Sequence, residues 1–146
     1  NNLLVLLNLG VIYFDLDQFD KAERAFCAAV QRLPHRGGWY ALEAQIKTNL
    51  GAVYQATERH EAAIVVLVEA VQKWREVGNL LCLCRALLNL AESQIVLMHY
   101  AVAFDTCLEA GIWLEFYPEQ HQAGEMLLEC QQIGEMLAEA QGIGRN

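Results

Sequence analysis

The sequence predicts an all-α solenoid of antiparallel helix pairs, with about seven helices. A short motif recurs along the chain, as Leu-Asn-Leu-Gly at 7–10, Thr-Asn-Leu-Gly at 48–51 and Leu-Asn-Leu-Ala at 88–91, at spacings of 41 and 40 residues. Apolar residues follow each motif at steps of three and four, which is the helical period. The 146 residues are 55% hydrophobic and 19% charged, with 2 Pro and 10 Gly, which excludes a disordered or collagen-like chain. Self-similarity at this period indicates stacked supersecondary units.

The first repeat covers residues 1–37 and is predicted to form two helices joined by a polar turn at residues 17–20. Its first helix carries an apolar stripe formed by Leu6, Leu9, Gly10 and Tyr13. Its second helix carries a matching set formed by Ala22, Phe26, Ala29 and Val30. Because Gly10 and Ala22 are small, we expect the two backbones to approach closely there. Pro34 and Gly38 bound a predicted break after this repeat.

The second and third repeats cover residues 38–78 and 79–117. The second copy carries residues at the same offsets as the first, namely Tyr54, Ala63, Leu67 and Ala70. The third copy carries Gln94, Ala103, Cys107 and Ala110 at those offsets. Turns are predicted at residues 57–60 and 98–100, and a break at residues 77–79. Small residues occupy equivalent positions in the three repeats, which predicts the same packing in each helix pair.

The pattern of residues 118–146, the C-terminal tail, predicts a single closing helix after Pro118 that follows the last helix pair. Its apolar residues follow alternating steps of three and four and form a narrow seam, Ala123, Met126, Cys130, Ile133, Leu137 and Ala140. Gly124 and Gly134 each cost a helix about 1 kcal/mol relative to Ala, so this helix needs a partner surface. The seam either caps the stack of helix pairs or forms a dimer contact.

These repeats resemble the tetratricopeptide repeat, in which a large residue is followed by Leu-Gly, Tyr, Ala, an aromatic residue and Pro. The first copy matches the pattern at the positions Leu6, Leu9, Gly10, Tyr13, Ala22, Phe26, Ala29 and Pro34. The resemblance covers roughly residues 2–117 and implies a right-handed superhelical solenoid. Repeats of about 40 residues with Asn before Leu-Gly are similar to those of bacterial peptide-pheromone receptors and kinesin light chains. The resemblance implies a non-enzymatic module that binds a peptide or protein segment on its concave face.

In the tetratricopeptide fold the first helix of each pair lines the concave side, and the residue before Leu-Gly points into it. Here that residue is Asn8, Asn49 and Asn89 in turn. An Asn amide offers a donor and an acceptor together, so it can pair with a peptide backbone of any sequence. The alternative is that these amides bond neighbouring helices or water. Nearby polar residues complete the predicted peptide-binding set: Gln45, Thr48, Gln55, Arg85 and Glu92. Much of the remaining surface is apolar, which favours a partly apolar peptide or helix over a carboxylate ligand.

The acidic residues are concentrated in the C-terminal part of the chain. The net charge is −8, and residues 86–144 contain nine acidic residues and no Lys or Arg. An acidic surface repels phosphate, so we expect no direct contact between this chain and nucleic acid. The acidic face either keeps the domain soluble or binds a basic partner.

The sequence contains no recognisable catalytic or metal-binding motif. The five cysteines, at positions 27, 82, 84, 107 and 130, form no Cys-x-x-Cys pair, and the four histidines are scattered. We expect reduced thiols, with Cys27 and Cys107 serving as small core residues. The predictions are therefore no enzyme activity, no metal and no cofactor.

No stretch of 18 apolar residues or signal peptide is present, so we expect a cytoplasmic protein with no membrane contact. The chain begins with Asn1, which suggests a piece of a longer protein. The leading hypothesis is the peptide sensor of a bacterial regulator. The alternative is an oligomerisation or regulatory segment of a multidomain transcription activator that has no ligand of its own. A homo-oligomer is expected because the apolar first helix and the seam of the last helix cannot both be covered by three repeats.

Overall fold

The computed structural model describes residues 2–34, 38–116 and 121–142. Within these ranges the chain forms seven helices and no strand: α1 (Asn2–Asp15), α2 (Phe19–Gln31), α3 (Tyr40–Ala56), α4 (His60–Val77), α5 (Leu80–Val96), α6 (Tyr100–Leu114) and α7 (His121–Ala140). Contacts group them into two compact units, Asn1–Val77 (unit 1) and Gly78–Asn146 (unit 2). In the described ranges no helix is both long and apolar enough to span a membrane.

Unit 1 consists of two helix pairs, α1 with α2 and α3 with α4, and α2 also packs against α3. Its core joins residues from three of these helices: Leu7, Ala22, Phe26, Ala29, Ile46, Leu50 and Val53. Gly10 and Gly51 are buried where the two helices of a pair touch. A Cβ atom at Gly51 would lie 2.6 Å from Leu67 Cγ, which is too close for two carbon atoms. The predicted close approach within each pair is therefore confirmed in unit 1.

The turn within each helix pair has the same hydrogen-bonded form in all three repeats. Asp17, Glu58 and Met98 adopt left-handed backbone conformations, with φ angles of 58°, 61° and 63°. The residue after each of them donates its amide to a carbonyl five residues earlier, at 2.8 Å in every copy: Gln18 to Tyr13, Arg59 to Tyr54 and His99 to Gln94. This is the Schellman ending of a helix, which satisfies carbonyls that would otherwise lack a partner. The third copy thus repeats the turn although its sequence motif has lost both Gly and Tyr.

Unit 2 consists of the pair α5 and α6, with α7 packed against both. Gly78 supplies a left-handed residue with φ of 81°, and the Asn79 side chain caps α5 by accepting a hydrogen bond from the Cys82 amide at 3.1 Å. The seam of α7 is buried at Ala123, Met126, Cys130, Ile133 and Leu137, and Ala140 is exposed. These five residues are therefore part of the core of unit 2.

The predicted all-α fold of helix pairs with about seven helices is confirmed in the described residues. The three predicted pairs correspond to α1–α2, α3–α4 and α5–α6, and the predicted closing helix corresponds to α7. The boundary between the compact units lies between Val77 and Gly78. Residues 35–37 of the predicted break after the first repeat, and Pro118, lie outside the described residues.

Candidate functional site

The first helices of unit 1 place three of the predicted binding residues on accessible surface. Asn8 on α1 and Gln45 on α3 are exposed, and Asn49, one turn after Gln45, is half-buried. Leu7 and Leu50, which adjoin the two asparagines in sequence, are buried in the core. The asparagines therefore point away from the core. Gln55 is also half-buried on α3 and interacts with other groups of the chain.

Thr48 belongs to the scaffold of unit 1. Its hydroxyl donates to the Ala44 carbonyl at 2.7 Å and accepts a hydrogen bond from Trp74 Nε1 of α4 at 3.0 Å. Trp74 is buried, so this bond satisfies an indole N–H that would otherwise lack a partner. The hydroxyl is thus directed at the partner helix α4.

Basic side chains of α3 and α4 are paired with carboxylates. Lys47 bonds Glu43 at 2.9 Å and also Glu69 on α4. Desolvation lowers the pKa of Lys47, but the hydrogen bonds to Glu69 and Glu43 outweigh it and hold the pKa above its usual value. Lys73 lies 4.3 Å above the Tyr40 ring and 3.8 Å from Glu76. These two lysines therefore do not form the free cationic cluster that a carboxylate clamp requires.

In unit 2 a groove runs between α5 and α7, and we call it the α5–α7 groove. One cavity of about 340 Å³ is lined by Glu92, Ile95, Val96, Glu129, Gln132, Ile133 and Met136. A second cavity of about 330 Å³ is lined by Leu81, Cys82, Arg85, Gln122, Glu125 and Met126. Both cavities are lined by polar and apolar side chains together.

The predicted residues Arg85, Asn89 and Glu92 lie on one face of α5, because steps of four and three residues bring side chains into line on a helix. Arg85 and Glu92 line the groove, and Asn89 is half-buried between them and has interactions within the chain. The structure thus brings these three predicted residues together, within unit 2.

The groove is acidic despite the presence of Arg85. Arg85 Nη1 donates to both carboxylate oxygens of Glu129 on α7, at 2.9 and 3.1 Å. The pKa of Glu92 is raised by desolvation and by the neighbouring Glu129 carboxyl group, which shares Arg85 with it. Arg85 is therefore paired with Glu129, and the raised pKa favours the protonated form of Glu92.

The side chains that α7 contributes were not predicted from the sequence. Glu129, Gln132 and Met136 flank the buried seam position Ile133 and form the second wall of the groove. The seam could have indicated these residues. Helix positions next to a buried seam lie at the edge of the contact with the neighbouring helix. Among the residues that the structure describes, no group of three or more His, Cys, Asp or Glu side chains could hold a metal ion.

Comparison with known proteins identifies the repeats. A family model described as tetratricopeptide repeat matches residues 4–34, and a second model with the same description matches residues 44–77. The two matched segments coincide with the helix pairs of unit 1. The chain contains tetratricopeptide repeats.

Among solved structures, this tetratricopeptide-repeat chain is similar to the TPR2B domain of yeast Sti1 in its complex with pHsp70. The TM-score is 0.76 at 19% sequence identity, over 95% of this chain and 98% of the Sti1 chain. The likeness supports the repeat fold along both units. No curated protein sequence matches the chain significantly. Tetratricopeptide repeats generally mediate protein–protein or peptide binding.

Proposed function

We propose that this chain is a non-enzymatic module that binds a peptide or protein segment. The observation that carries the proposal is the α5–α7 groove, which joins apolar side chains to a row of polar ones on the first-helix side of unit 2. Family membership supports it, since stacked helical repeats generally present such surfaces to partners. The similar TPR2B domain of Sti1 was solved in a complex with pHsp70, which supports a protein-derived ligand as the class.

The charges of the groove favour a ligand with apolar and basic side chains. Ile95, Val96 and Met136 offer apolar contact area, and Met136 is 52% exposed. Arg85 is already paired with Glu129, and Glu92 has a raised pKa, so a Lys or Arg of the ligand beside Glu92 would favour its ionised form and pair with it. An acidic ligand would instead meet further acidic groups and an arginine that is already paired.

The asparagines provide backbone recognition in this proposal. Asn8 and Asn49 lie in unit 1 and Asn89 in unit 2, each at the same position of its repeat. Within each unit the asparagine amides would bond the main chain of a ligand segment, with Gln45 and Gln55 beside Asn49 in unit 1. Removing one amide leaves a ligand group unpaired, at a cost of about 1 to 3 kcal/mol or a ten- to hundredfold loss of affinity.

The test begins with a random-peptide library displayed on phage and selected on the immobilised chain. We expect selected sequences that combine apolar residues with Lys or Arg. The best sequence, made as a synthetic peptide, is then titrated against the chain and against Asn49→Ala and Asn89→Ala variants, with Gln72→Ala on the exposed surface of α4 as the control. Selection of acidic peptides, or equal affinity of all four proteins, would contradict the proposal.

A second candidate function is assembly, as the oligomerisation or regulatory segment of a multidomain transcription activator. It is favoured by large apolar side chains on the surface of α1 and α6, including Leu4, Ile12, Leu108 and Ile112, each more than half exposed. The narrower form of the first candidate, the cytoplasmic sensor of a bacterial regulator, is supported by the repeat length and the asparagines alone. Peptide selection distinguishes the two candidates, because a chain that serves assembly alone yields no consensus peptide.

A further inference from the structure

Two cysteines face each other in the core of unit 2. Cys107 on α6 and Cys130 on α7 have their Sγ atoms 3.1 Å apart, and the side chains are 4% and 9% exposed. The contact is reciprocal: Cys107 Sγ lies 3.3 Å from the Cys130 carbonyl oxygen, and Cys130 Sγ lies 3.2 Å from the Cys107 carbonyl oxygen. The two sulfurs need to approach by about 1 Å to reach the length of a disulfide bond.

The surroundings of the pair leave room for this contact and exclude the other cysteines from it. Gly111 follows Cys107 by one turn, and a Cβ atom at Gly111 would lie 3.4 Å from Cys130 Sγ. Cys84 of α5 is also buried in unit 2, but its thiol is directed at the Ala110 carbonyl, 3.6 Å away. Cys27 and Cys82 are half-buried elsewhere in the chain.

The two thiols share a hydrogen bond in which either sulfur can be the donor, and this bond couples their acidities. The hydrogen bond with Cys107 lowers the pKa of Cys130; desolvation opposes this effect, and a hydrogen bond from the Gly111 backbone adds to it. The pKa of Cys107 is raised by the same hydrogen bond and by burial. Burial raises the pKa of Cys84 to about 11, so that thiol stays protonated at neutral pH. A hydrogen bond between the two thiols stabilises a thiolate within the pair, and the thiolate is the reactive form of cysteine.

We propose that Cys107 and Cys130 form a redox-active dithiol site that reacts with a peroxide and closes to a disulfide between α6 and α7. The thiolate of one cysteine attacks one peroxide oxygen; an S–O bond forms, the O–O bond breaks, and the leaving hydroxide takes a proton to become water. The other cysteine then attacks the sulfur of the resulting sulfenic acid, the S–S bond forms, and the hydroxyl group leaves as a second water. Two thiols and one hydrogen peroxide become one disulfide and two water molecules, and a dithiol reductant reverses the change.

The disulfide would bind α7 covalently to the helix pair that it covers. α7 packs along one buried seam and carries two glycines, so local opening of this helix admits the oxidant to the pair. Glu129 precedes Cys130 and holds Arg85 of α5. Closing the disulfide therefore fixes α7, including the wall of the α5–α7 groove. The redox site itself does not depend on peptide binding.

The experiment oxidises the intact reduced chain with hydrogen peroxide, blocks the remaining thiols with N-ethylmaleimide and cleaves after glutamate. Glu109, Glu125 and Glu129 lie between the two cysteines, so cleavage separates Cys107 from Cys130 unless a disulfide joins them. We expect one dominant cross-linked pair of fragments, which dithiothreitol separates, and a melting temperature raised by about 5 to 15 °C in the oxidised chain.

Single Cys→Ala variants show which two sulfurs form the cross-link. Because four variants are compared, a folding defect in one of them does not decide the result. The Cys107→Ala and Cys130→Ala variants should lose the cross-link, whereas Cys27→Ala and Cys84→Ala should retain it. The proposal is overturned if peroxide takes Cys130 to the sulfinic acid while Cys107 stays reduced. It is equally overturned if Cys84 enters the cross-link as often as Cys107, or if the folded wild-type chain gives no cross-link while the reduced pair remains intact.

Discussion

The ring of Phe26 on α2 lies directly over Gly10 on α1, so that a Cβ atom at position 10 would stand 2.6 Å from Phe26 Cδ1. Gly51 has the same relationship to Leu67, the residue at the matching offset of the second repeat. In the third repeat Ala91 and Cys107 occupy these two positions, and both are buried. A small residue under a larger one is therefore the packing unit that recurs along the chain.

Replacing Gly10 or Gly51 with Ala is expected to destabilise the chain by about 1 to 3 kcal/mol, because Phe26 or Leu67 must move out of its packed position. Gly124→Ala on α7 is the matched control, since nothing lies within 4 Å of a Cβ atom there. That change removes a helix-interior glycine and should stabilise the chain by about 0.5 to 1 kcal/mol. Urea denaturation measures all three, and equal effects at Gly10 and Gly124 would refute the packing unit.

The sequence predicted the helix pairs well because their signal is local and repeated. Gly10, Ala22 and Phe26 stand within one repeat, and the same offsets recur twice. By contrast, the hydrogen bond from Trp74 to Thr48 joins residues 26 positions apart, and no local pattern of the sequence links the two residues. The sequence located the turns approximately. It did not reveal the left-handed conformations of Asp17, Glu58 and Met98, because none of these residues is a glycine.

The candidate site was predicted on α5 but not on α7, for a related physical reason. The motif identifies Arg85, Asn89 and Glu92 as residues of a first helix, and their spacing places them on one face. The opposite wall comes from α7, which lacks the motif, so its pairing partners could not be assigned from the sequence. The ion pair of Arg85 with Glu129 spans 44 residues and depends on how α7 docks.

The pH dependence of unit 2 should reflect Glu92. Its folded pKa is raised by desolvation and by Glu129, so the folded state holds a proton that the unfolded chain releases near its ordinary value of 4.5. Stability therefore falls as pH rises from that value through the raised one. Glu92→Gln should remove this loss and stabilise the chain at alkaline pH by about 0.5 to 1 kcal/mol, after allowance for solvent screening. Thermal melts from pH 5 to 9 test it, and parallel curves for both proteins would show that Glu92 is not responsible.

An opposite pH dependence is expected in unit 1. Arg59 bonds both carboxylate oxygens of Glu23, at 3.0 and 2.6 Å, and chiefly for this reason the pKa of Glu23 is lowered. The pair contributes its stability above the unfolded value of Glu, and the contribution is lost as pH falls through the lowered one. Arg59→Gln should cost about 0.5 to 1 kcal/mol at pH 7, because the pair is partly exposed, and little at strongly acidic pH. A cost that stays constant down to acid pH would assign the effect to packing of Arg59 on Tyr54, 4.7 Å away.

Self-association should be detectable by sedimentation. Leu108 and Ile112 expose more than half of their surface on α6, and Leu4 does so on α1. We expect dimers or larger species at about 100 μM that dissociate on dilution, as mass action requires. A single monomeric species over that range would remove support from the assembly function.

The most direct measurement of the central claim compares two adjacent glutamines of α7. Gln132 lines the α5–α7 groove, whereas Gln131 is exposed and is not among the residues lining it. A peptide selected on the wild-type chain is titrated calorimetrically against Gln132→Ala and Gln131→Ala, two variants with the same change on the same helix. The account predicts about five- to tenfold weaker binding for Gln132→Ala and wild-type affinity for Gln131→Ala, since the former removes a polar contact inside the groove. Equal affinity of the two variants, or a loss confined to Gln131→Ala, would place the ligand outside this groove and contradict the account.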